Sequence, residues 1–442
     1  MRSVAGTRLD RRPIRGGAPV SINSRLSGLR DLDATARRAA VTEAAGLDAG
    51  ALDALDPARG LTLEAADHLI ENVVGIIGIP VGVATNFTID GVDRLVPMAT
   101  EEPSVVAAAS NAARMTRGHG GFRTSTTGPV MIAQIQVVDA ADPEAARLRL
   151  LEAREELLAL ADAQDPMLTS LGGGARDLVV RTLPTRTGVH LVAHLHVDVR
   201  DAMGANAVNT MAEALAPRVA ELADGRSLLR ILSNKADQRL IRARAVFDAE
   251  LLGGAQVVRD IVHASAFAEA DPYRAATHNK GIMNGITAVV LATGNDTRAV
   301  ESGAHSHAAR GGGYTALSHF ELGEGGHLAG TLELPLAVGL VGGATRAHPV
   351  AQAAIRLLGI RTAAELAAVI ASVGLAQNLA ALRALAAEGI QRGHMTLHAR
   401  TIAASAGAAG EEITRVAERI VADKLIRLEH AQDVLAELRS VR

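Results

Sequence analysis

The sequence predicts an α+β protein: a large mixed helix/strand domain, an inserted ferredoxin-like small domain, and a helical C-terminal stretch. Three observations carry this. Residues 128–235 follow the order β-α-β-β-α-β, with apolar alternation in the strands and helical periodicity between them. The chain on either side mixes helical and glycine-punctuated strand patterns, so that unit reads as an insertion. From about residue 389 to 442 the period is helical, with a break at Ala406–Gly410.

In chain order, residues 1–23 read as a flexible arm rich in Arg, Gly and Ser. Residues 24–127 form the first part of the large domain. Ser24 to Ile70 has helical spacing broken near Gly46 and Pro57, and Glu71 to Pro97 becomes strand-like, with turns at Asp90-Gly91 and Val92-Asp93. Pro103 opens a helix over 104–117, where its missing N–H has no helical partner to lose. In the small domain a strand at 130–138 precedes a charged helix at 143–163 and a turn at Gly172-Gly173-Gly174. Strands at 177–183 and 189–199, a helix at 205–222 and a strand at 228–233 complete it. Residues 236–388 return to the large domain, and 389–442 form the last unit.

Composition bounds the function. Of 442 residues 48% are apolar but only 2% aromatic, so the cores are built from Ala, Val, Leu and Ile. The absence of Cys removes disulfides, thiolate catalysis and zinc–thiolate sites together. A net charge of −3 offers no basic excess for phosphates, which argues against nucleic acid. The run Val73–Ala84 is 12 residues long and interrupted by Gly and Pro, whereas a bilayer span needs about 20. Five Arg before Gly17 are followed by no apolar segment, so no secretory signal is read. The expectation is a cytoplasmic protein with no membrane partner.

Only Lys235, Lys280 and Lys424 are lysines, against 42 arginines, so a retained ammonium is informative. Lys280 falls in Asp271–Gly285, which gathers Arg274, His278, Asn279 and Asn284 ahead of an apolar run read as a strand over 286–293. Asp296 follows in a turn at that strand's end. Solvated turn and reactive cluster are both open on residue types alone. Glu101-Glu102 precede the helix at Ser104, either complementing its dipole or supplying a proton donor. His394 and His398 are four apart on a C-terminal helix, a surface pair or a functional one. His190, His194 and His196 alternate with Leu191, Ala193 and Leu195, which favours a polar outer strand face over a metal site. No metal is expected. No lysine follows a phosphate-binding glycine loop, and Gly311-x-Gly313-x-x-Ala316 lacks a preceding strand, so the usual nucleotide motifs fail.

Several long motifs in fixed order add a resemblance. They are Glu71-Asn-Val-Val-Gly75, Pro80-Val-Gly-Val-Ala84, Glu101-Glu-Pro-Ser-Val-Val-Ala-Ala108 and Asp201-Ala-Met-Gly-Ala-Asn206. Thr277-His-Asn-Lys-Gly-Ile-Met-Asn-Gly285, Thr293-Gly-Asn-Asp296, Gly339-Leu-Val-Gly-Gly-Ala-Thr345 and Gly389-Ile-Gln-Arg-Gly-His-Met395 follow. From about Ser24 to the C-terminus the chain resembles the soluble bacterial, class II reductases of 3-hydroxy-3-methylglutaryl-coenzyme A (HMG-CoA).

The resemblance implies interconversion of HMG-CoA with mevalonate and CoA in two hydride transfers through mevaldehyde. By position it implies Lys280 as the ammonium polarising the reacting carbonyl, Glu102 as the acid, Asp296 as a hydrogen-bond partner of Lys280, and His394 as the donor to the CoA thiolate. Arg274, Ser104 and Asn284 would hold the HMG moiety. The small domain would bind the dinucleotide without a Rossmann fold, using Asp201, Met203, Gly204 and Asn206 at the pyrophosphate. Asp165 would meet the adenosine ribose, accepting from a 2′-hydroxyl and repelling a 2′-phosphate, hence NAD(H) over NADP(H). Pro166 departs from the polar residue expected beside it. A homodimer with shared active sites and a C-terminal flap from residue 389 complete the expectation. A reductase of another acyl-CoA thioester is the alternative within enzymes, and a silent CoA- or nucleotide-binding protein the alternative outside them.

Overall fold

The computed structural model describes residues 22–388 and 399–440; His394 and His398 therefore lie outside the described residues. Helix α1 (Ala34–Ala44) begins at Asp33, whose carboxylate caps the Ala36 N–H, and α2 (Leu63–Asp67) begins at Thr62 in the same way. Val41, Leu52, Leu95 and Leu357 bury together and fasten this stretch to the body. Residues 71–80 then run without regular secondary structure, and Val74 and Ile77 are 99% and 90% exposed.

Strands β1 (Val81–Ile89) and β2 (Val92–Ala99) pair as an antiparallel hairpin. Asp90 and Gly91 turn it with φ of 48° and 83°, the left-handed pair whose twist matches a tight hairpin. Only the Asp90-Gly91 turn of the expected two is used, because Val92-Asp93 already belongs to β2. Helix α3 (Val105–Thr116) packs on β1, and β3 (Arg123–Thr126) leads out of this region.

The next elements are β4 (Val130–Val138), α4 (Pro143–Glu152), α5 (Arg154–Asp162), α6 (Pro166–Ser170), β5 (Gly174–Thr185), β6 (Gly188–Asp198), α7 (Ala205–Ala223) and β7 (Arg226–Ser233). The single helix expected over 143–163 is two, broken at Ala153. All neighbours in the sheet β5-β6-β4-β7 are antiparallel. Apolar residues of α4, α5 and α7 bury against Ile135, Leu178, Leu195 and Val197 in one core. On β6, His194 and His190 lie opposite β4 and meet Gln134 and Gln136 at 3.0 Å each, the polar sheet face that the alternation predicted.

The chain then supplies β8 (Leu240–Phe247), α8 (Ala249–Leu252), α9 (Ala255–Ala270), α10 (Pro272–Ala292), α11 (Thr297–Ala308), β9 (Ser318–Leu322), β10 (Leu328–Pro335), α12 (Gly343–Ala347), α13 (Pro349–Leu358) and α14 (Ala363–Arg383). A second antiparallel sheet has the order β3-β8-β10-β9. The strand expected over 286–293 is instead the second half of α10. Ile286, Val289 and Val290 are β-branched and read as strand, but they are buried on several sides against α14, β2 and α9, and that packing overrides propensity. The stretch Ala363–Ala386 is long and apolar enough to cross a membrane by composition, yet 83% of its most apolar window is buried inside the protein. The helices Glu411–Ala422 and Leu428–Ser440 share a separate small core around Val416, Ile420 and Val434.

Candidate active site

Lys280 and Asn284 lie one turn apart on α10, so their side chains leave the same face. Both converge on Glu102. Its Oε2 accepts from Lys280 Nζ at 3.1 Å and from Asn284 Nδ2 at 3.2 Å. The turn that presents Glu102 is fixed at two points: its N–H donates to Thr100 Oγ1 at 3.2 Å, and Ser104 sits at φ 75°, ψ −21°. A left-handed serine costs on the order of 1 kcal/mol, and such strain clusters where geometry serves function. The Ser104 hydroxyl makes no cap bond to α3. Lys280 is 62% and Glu102 35% exposed at the side chain, so the pair is wet on one side.

Arg274 enters from the first turn of α10, where Asp271 accepts its N–H at 2.8 Å. Among the described residues its guanidinium has neither a hydrogen bond nor an ion pair. The opposite face of the same segment is structural. Asn279 Nδ2 donates to Thr315 O and its Oδ1 accepts from Leu317 N–H, pinning that loop. His278 bonds the Ser318 hydroxyl at 2.7 Å, and that hydroxyl donates onward to Asn378. His278 therefore carries its proton on Nε2, while buried Nδ1 has no partner among the described residues. Burial, and secondarily the charge of Arg274, push this histidine down to about 4.

A second locus is a cavity of about 720 Å³ lined by Asp165, Met203, Gly204, Asn206, Asp296 and Arg298. Asp165 caps α6 by accepting the Leu168 N–H at 2.9 Å, and Pro166 occupies the first helical position, which accounts for a proline there. Gly204 begins α7 at φ 105°, and the first intrahelical bond is Val208 N–H to Gly204 O. The N–H groups ahead of it thus have no helical partner and face a site open to an anion. The other wall is the loop from Gly339. A Cβ at Gly339 would stand 2.4 Å from Met203 N, so the two loops approach as only glycine permits. Asn295 Oδ1 accepts the Gly339 N–H at 2.8 Å.

Within one chain two of the expected residues have other partners. Asp201 does not line this cavity: its Oδ1 accepts the Ala363 N–H at 2.7 Å, so the carboxylate serves the start of α14. Asp296 reaches the cavity but its carboxylate does not bond Lys280. It caps α11 through the Arg298 and Ala299 N–H groups and pairs with the Arg298 guanidinium at 3.1 Å. That guanidinium, first among the causes, holds the Asp296 carboxyl below its ordinary range. Twelve residues of α10 follow Lys280 before the chain turns towards Asp296, a rise of about 18 Å. Glu102, Lys280 and Asn284 accordingly do not line the cavity.

Arg298, Asn295 and Arg239 escaped sequence reasoning. Arg239 is only 5% exposed and donates to the carbonyls of Ala202 and Met203 at 3.1 Å each and of Val338 at 2.6 Å. Burial brings it down to about 10, so it stays charged at neutral pH. It ties the Asp201–Gly204 loop to the strand end before Gly339. Arg298 stands two residues past Asp296, a spacing that could have signalled the pair. Arg239 carried no signal, being one arginine among 42.

Comparison with known proteins fits this arrangement. The model of the hydroxymethylglutaryl-coenzyme A reductase family matches residues 33–399. A 3-hydroxy-3-methylglutaryl-coenzyme A reductase of Archaeoglobus fulgidus is 54% identical over 434 residues, 98% of this chain and 99% of that one. The structure of the Streptococcus pneumoniae reductase superposes with a TM-score of 0.80 at 42% identity, covering 93% of this chain and 99% of that one. A class II reductase from the same organism, bound to NADPH in open conformations, gives 0.78 at 42% identity over 92% and 100% of the two chains. The chain belongs to the hydroxymethylglutaryl-coenzyme A reductase family, within class II.

Proposed function

We propose that the protein interconverts HMG-CoA with mevalonate and CoA by two hydride transfers through mevaldehyde, preferring NAD(H). The observation that carries this reading is the convergence of Lys280 and Asn284 on Glu102. An ammonium beside a carboxyl can hold a developing oxyanion while the acid supplies its proton, and Lys280 has no other partner among the described residues. Arg274, whose guanidinium has no partner among the described residues, suits the HMG carboxylate through two parallel N–H contacts. Ser104 and Asn284 complete the HMG contacts. His394 is proposed, from its motif alone, as the donor to the leaving thiolate.

The nicotinamide cofactor supplies the hydride when bound. Residues 128–235 are proposed as its ferredoxin-like domain, on the strand order β5-β6-β4-β7. The open N–H groups at the start of α7 suit the pyrophosphate, with Met203, Gly204 and Asn206 on the cavity wall. Asp165 lines the same cavity and would accept from a ribose 2′-hydroxyl while repelling a 2′-phosphate.

Within one chain the Glu102–Lys280 corner lies off that cavity. A homodimer in which each copy brings its cavity to the other's corner would reconcile the two, and would supply Asp296 from across the interface. The exposed apolar residues Ile70, Val74 and Ile77 support a face covered by a second copy. Residues 389–442 would then act as a flap that excludes water while mevaldehyde is held. Residues 24–127 and 236–388 form the large substrate domain, and 1–23 the arm.

Turnover of mevalonate and CoA with NAD⁺ or NADP⁺, followed by absorbance in both directions, tests the reading. Faster reduction of NAD⁺ is expected. Equal or better use of NADP⁺, the oxidised form of the NADPH bound to the Streptococcus pneumoniae relative, would overturn the role given to Asp165. No turnover in either direction would transfer the machinery to another acyl-CoA thioester.

A further inference from the structure

His119, Asp248 and His327 meet at the far end of the molecule's second sheet, and no step of the proposed chemistry uses them. His119 ends the short turn Arg117–His119 that follows α3. Asp248 joins β8 to α8, and His327 immediately precedes β10. The antiparallel register pairs Phe247 with Leu328, which sets Asp248 and His327, the residues just beyond, against each other. Asp248 N–H donates to Met115 O at 3.1 Å, anchoring the end of α3 beside them. Three separate pieces of chain are therefore held together by backbone bonds, independently of the side chains.

The side chains present complementary atoms. Asp248 uses Oδ1 to cap the Leu251 N–H at 3.0 Å, leaving Oδ2, which faces His119 Nε2 at 3.4 Å. The two imidazoles lie with centroids 4.3 Å apart, tilted by 58°. A Cβ added at Gly325 would come within 3.2 Å of His327 Cδ2 and 3.5 Å of Nε2, so that edge of the ring lies over the glycine. The other edge is turned to α8, where Nδ1 accepts the Ala249 N–H at 3.2 Å. Its lone pair is therefore directed at the amide one residue past Asp248. One nitrogen or oxygen from each of the three residues falls within 4.8 Å of the others.

The geometry points to a binding site for a divalent transition-metal ion such as Zn²⁺, held by His119, Asp248 and His327. Two imidazoles and a carboxylate suit zinc, with bonds of about 2.0–2.2 Å, so donors on one ion stand up to about 4 Å apart. Rotation of the exposed His119 ring supplies the closure that remains. At His327 the ion takes the Nδ1 lone pair from the Ala249 amide, and solvent completes its coordination. Its effect is to clamp the end of α3, the start of α8 and the turn before β10. The length of α3 separates this corner from Glu102 by about 18 Å, so turnover should not require the ion.

The test is calorimetric titration of the chelator-treated full chain with ZnCl₂, alongside thermal melting with and without the ion. One ion per chain and a raised melting temperature are expected. His119→Ala and His327→Ala should each weaken binding by at least about tenfold. Asp248→Asn, which keeps the helix cap, should weaken it without lowering the metal-free melting temperature. His319→Ala, an exposed histidine outside the cluster, should leave it unchanged. Absence of binding to the wild-type chain, or binding that His119→Ala and His327→Ala leave intact, would overturn the assignment.

Discussion

The Glu102–Lys280 corner and the Asp201–Arg239 junction are both charged clusters beside core elements, yet they are built in opposite ways. At the corner the ammonium is mostly exposed, and its partner among the described residues is the carboxylate it faces. At the junction a buried guanidinium donates to three backbone carbonyls, and Asp201 is taken up by a helix start. A group that must engage a substrate has to be free to exchange partners, whereas a group that holds two loops at a fixed distance has to be saturated. Charge alone does not separate these roles; the number and kind of partners does.

Substituting each cluster should therefore give opposite phenotypes. Lys280→Ala is expected to lower kcat by at least about 10³-fold, since removal of one oxyanion-stabilising donor alone costs about 10²–10³. Its melting temperature should barely change, because an exposed ion pair contributes at most about 1 kcal/mol. Turnover retained in that variant, measured by nicotinamide absorbance, would break the distinction from the catalytic side. Arg239→Met should do the reverse, costing about 3 kcal/mol of stability in denaturant unfolding by leaving buried carbonyls unpaired. The expected kinetic change is a raised KM for the nicotinamide with a smaller change in kcat.

His278 sharpens the contrast because it shares a helix with Lys280 but is buried, with its Nε2 committed to Ser318. Unfolded, it takes up a proton near its ordinary 6.5; folded, only near 4. Between those values the unfolded state binds more protons, so stability falls as pH drops through that window, by up to about 3 kcal/mol. His278→Gln should remove up to one proton from the slope of unfolding free energy against pH, measured from pH 6.5 to 4. The smallest effect is expected from Asp165→Asn. It keeps the α6 cap but loses the charge, and should move the NAD-to-NADP preference by about tenfold towards NADP.

The order of elements over residues 128–235 was legible because β5 and β6 largely alternate and α7 is amphipathic. The α7 helix ends one residue beyond its expected limit. Lys280 and Asn284 were legible too: their four-residue spacing fixes a shared face once the segment is helical, and the family motifs brought Glu102 into the set. The second half of α10 was not, since a helix buried on several sides loses the periodicity that distinguishes it from a strand. Nor were the partners of Asp201 and Asp296. A sequence shows which carboxylates exist, but whether one meets Lys280, Arg298 or an amide of α14 depends on contacts across more than a hundred residues in the case of Asp201.

The loop from Gly339 to Gly343 carries its glycines for different reasons, and they should drift differently under mutation. At Gly339 the obstacle is another backbone at 2.4 Å, which no side-chain rearrangement can relieve. At Gly342 and Gly343 there is open space, and the constraint is φ of 82° and 55°, which asparagine and aspartate tolerate. In a library selected for activity, position 339 should return glycine alone, while 342 and 343 should also admit Asn and Asp. A single short loop would thus record both a steric limit and a conformational one.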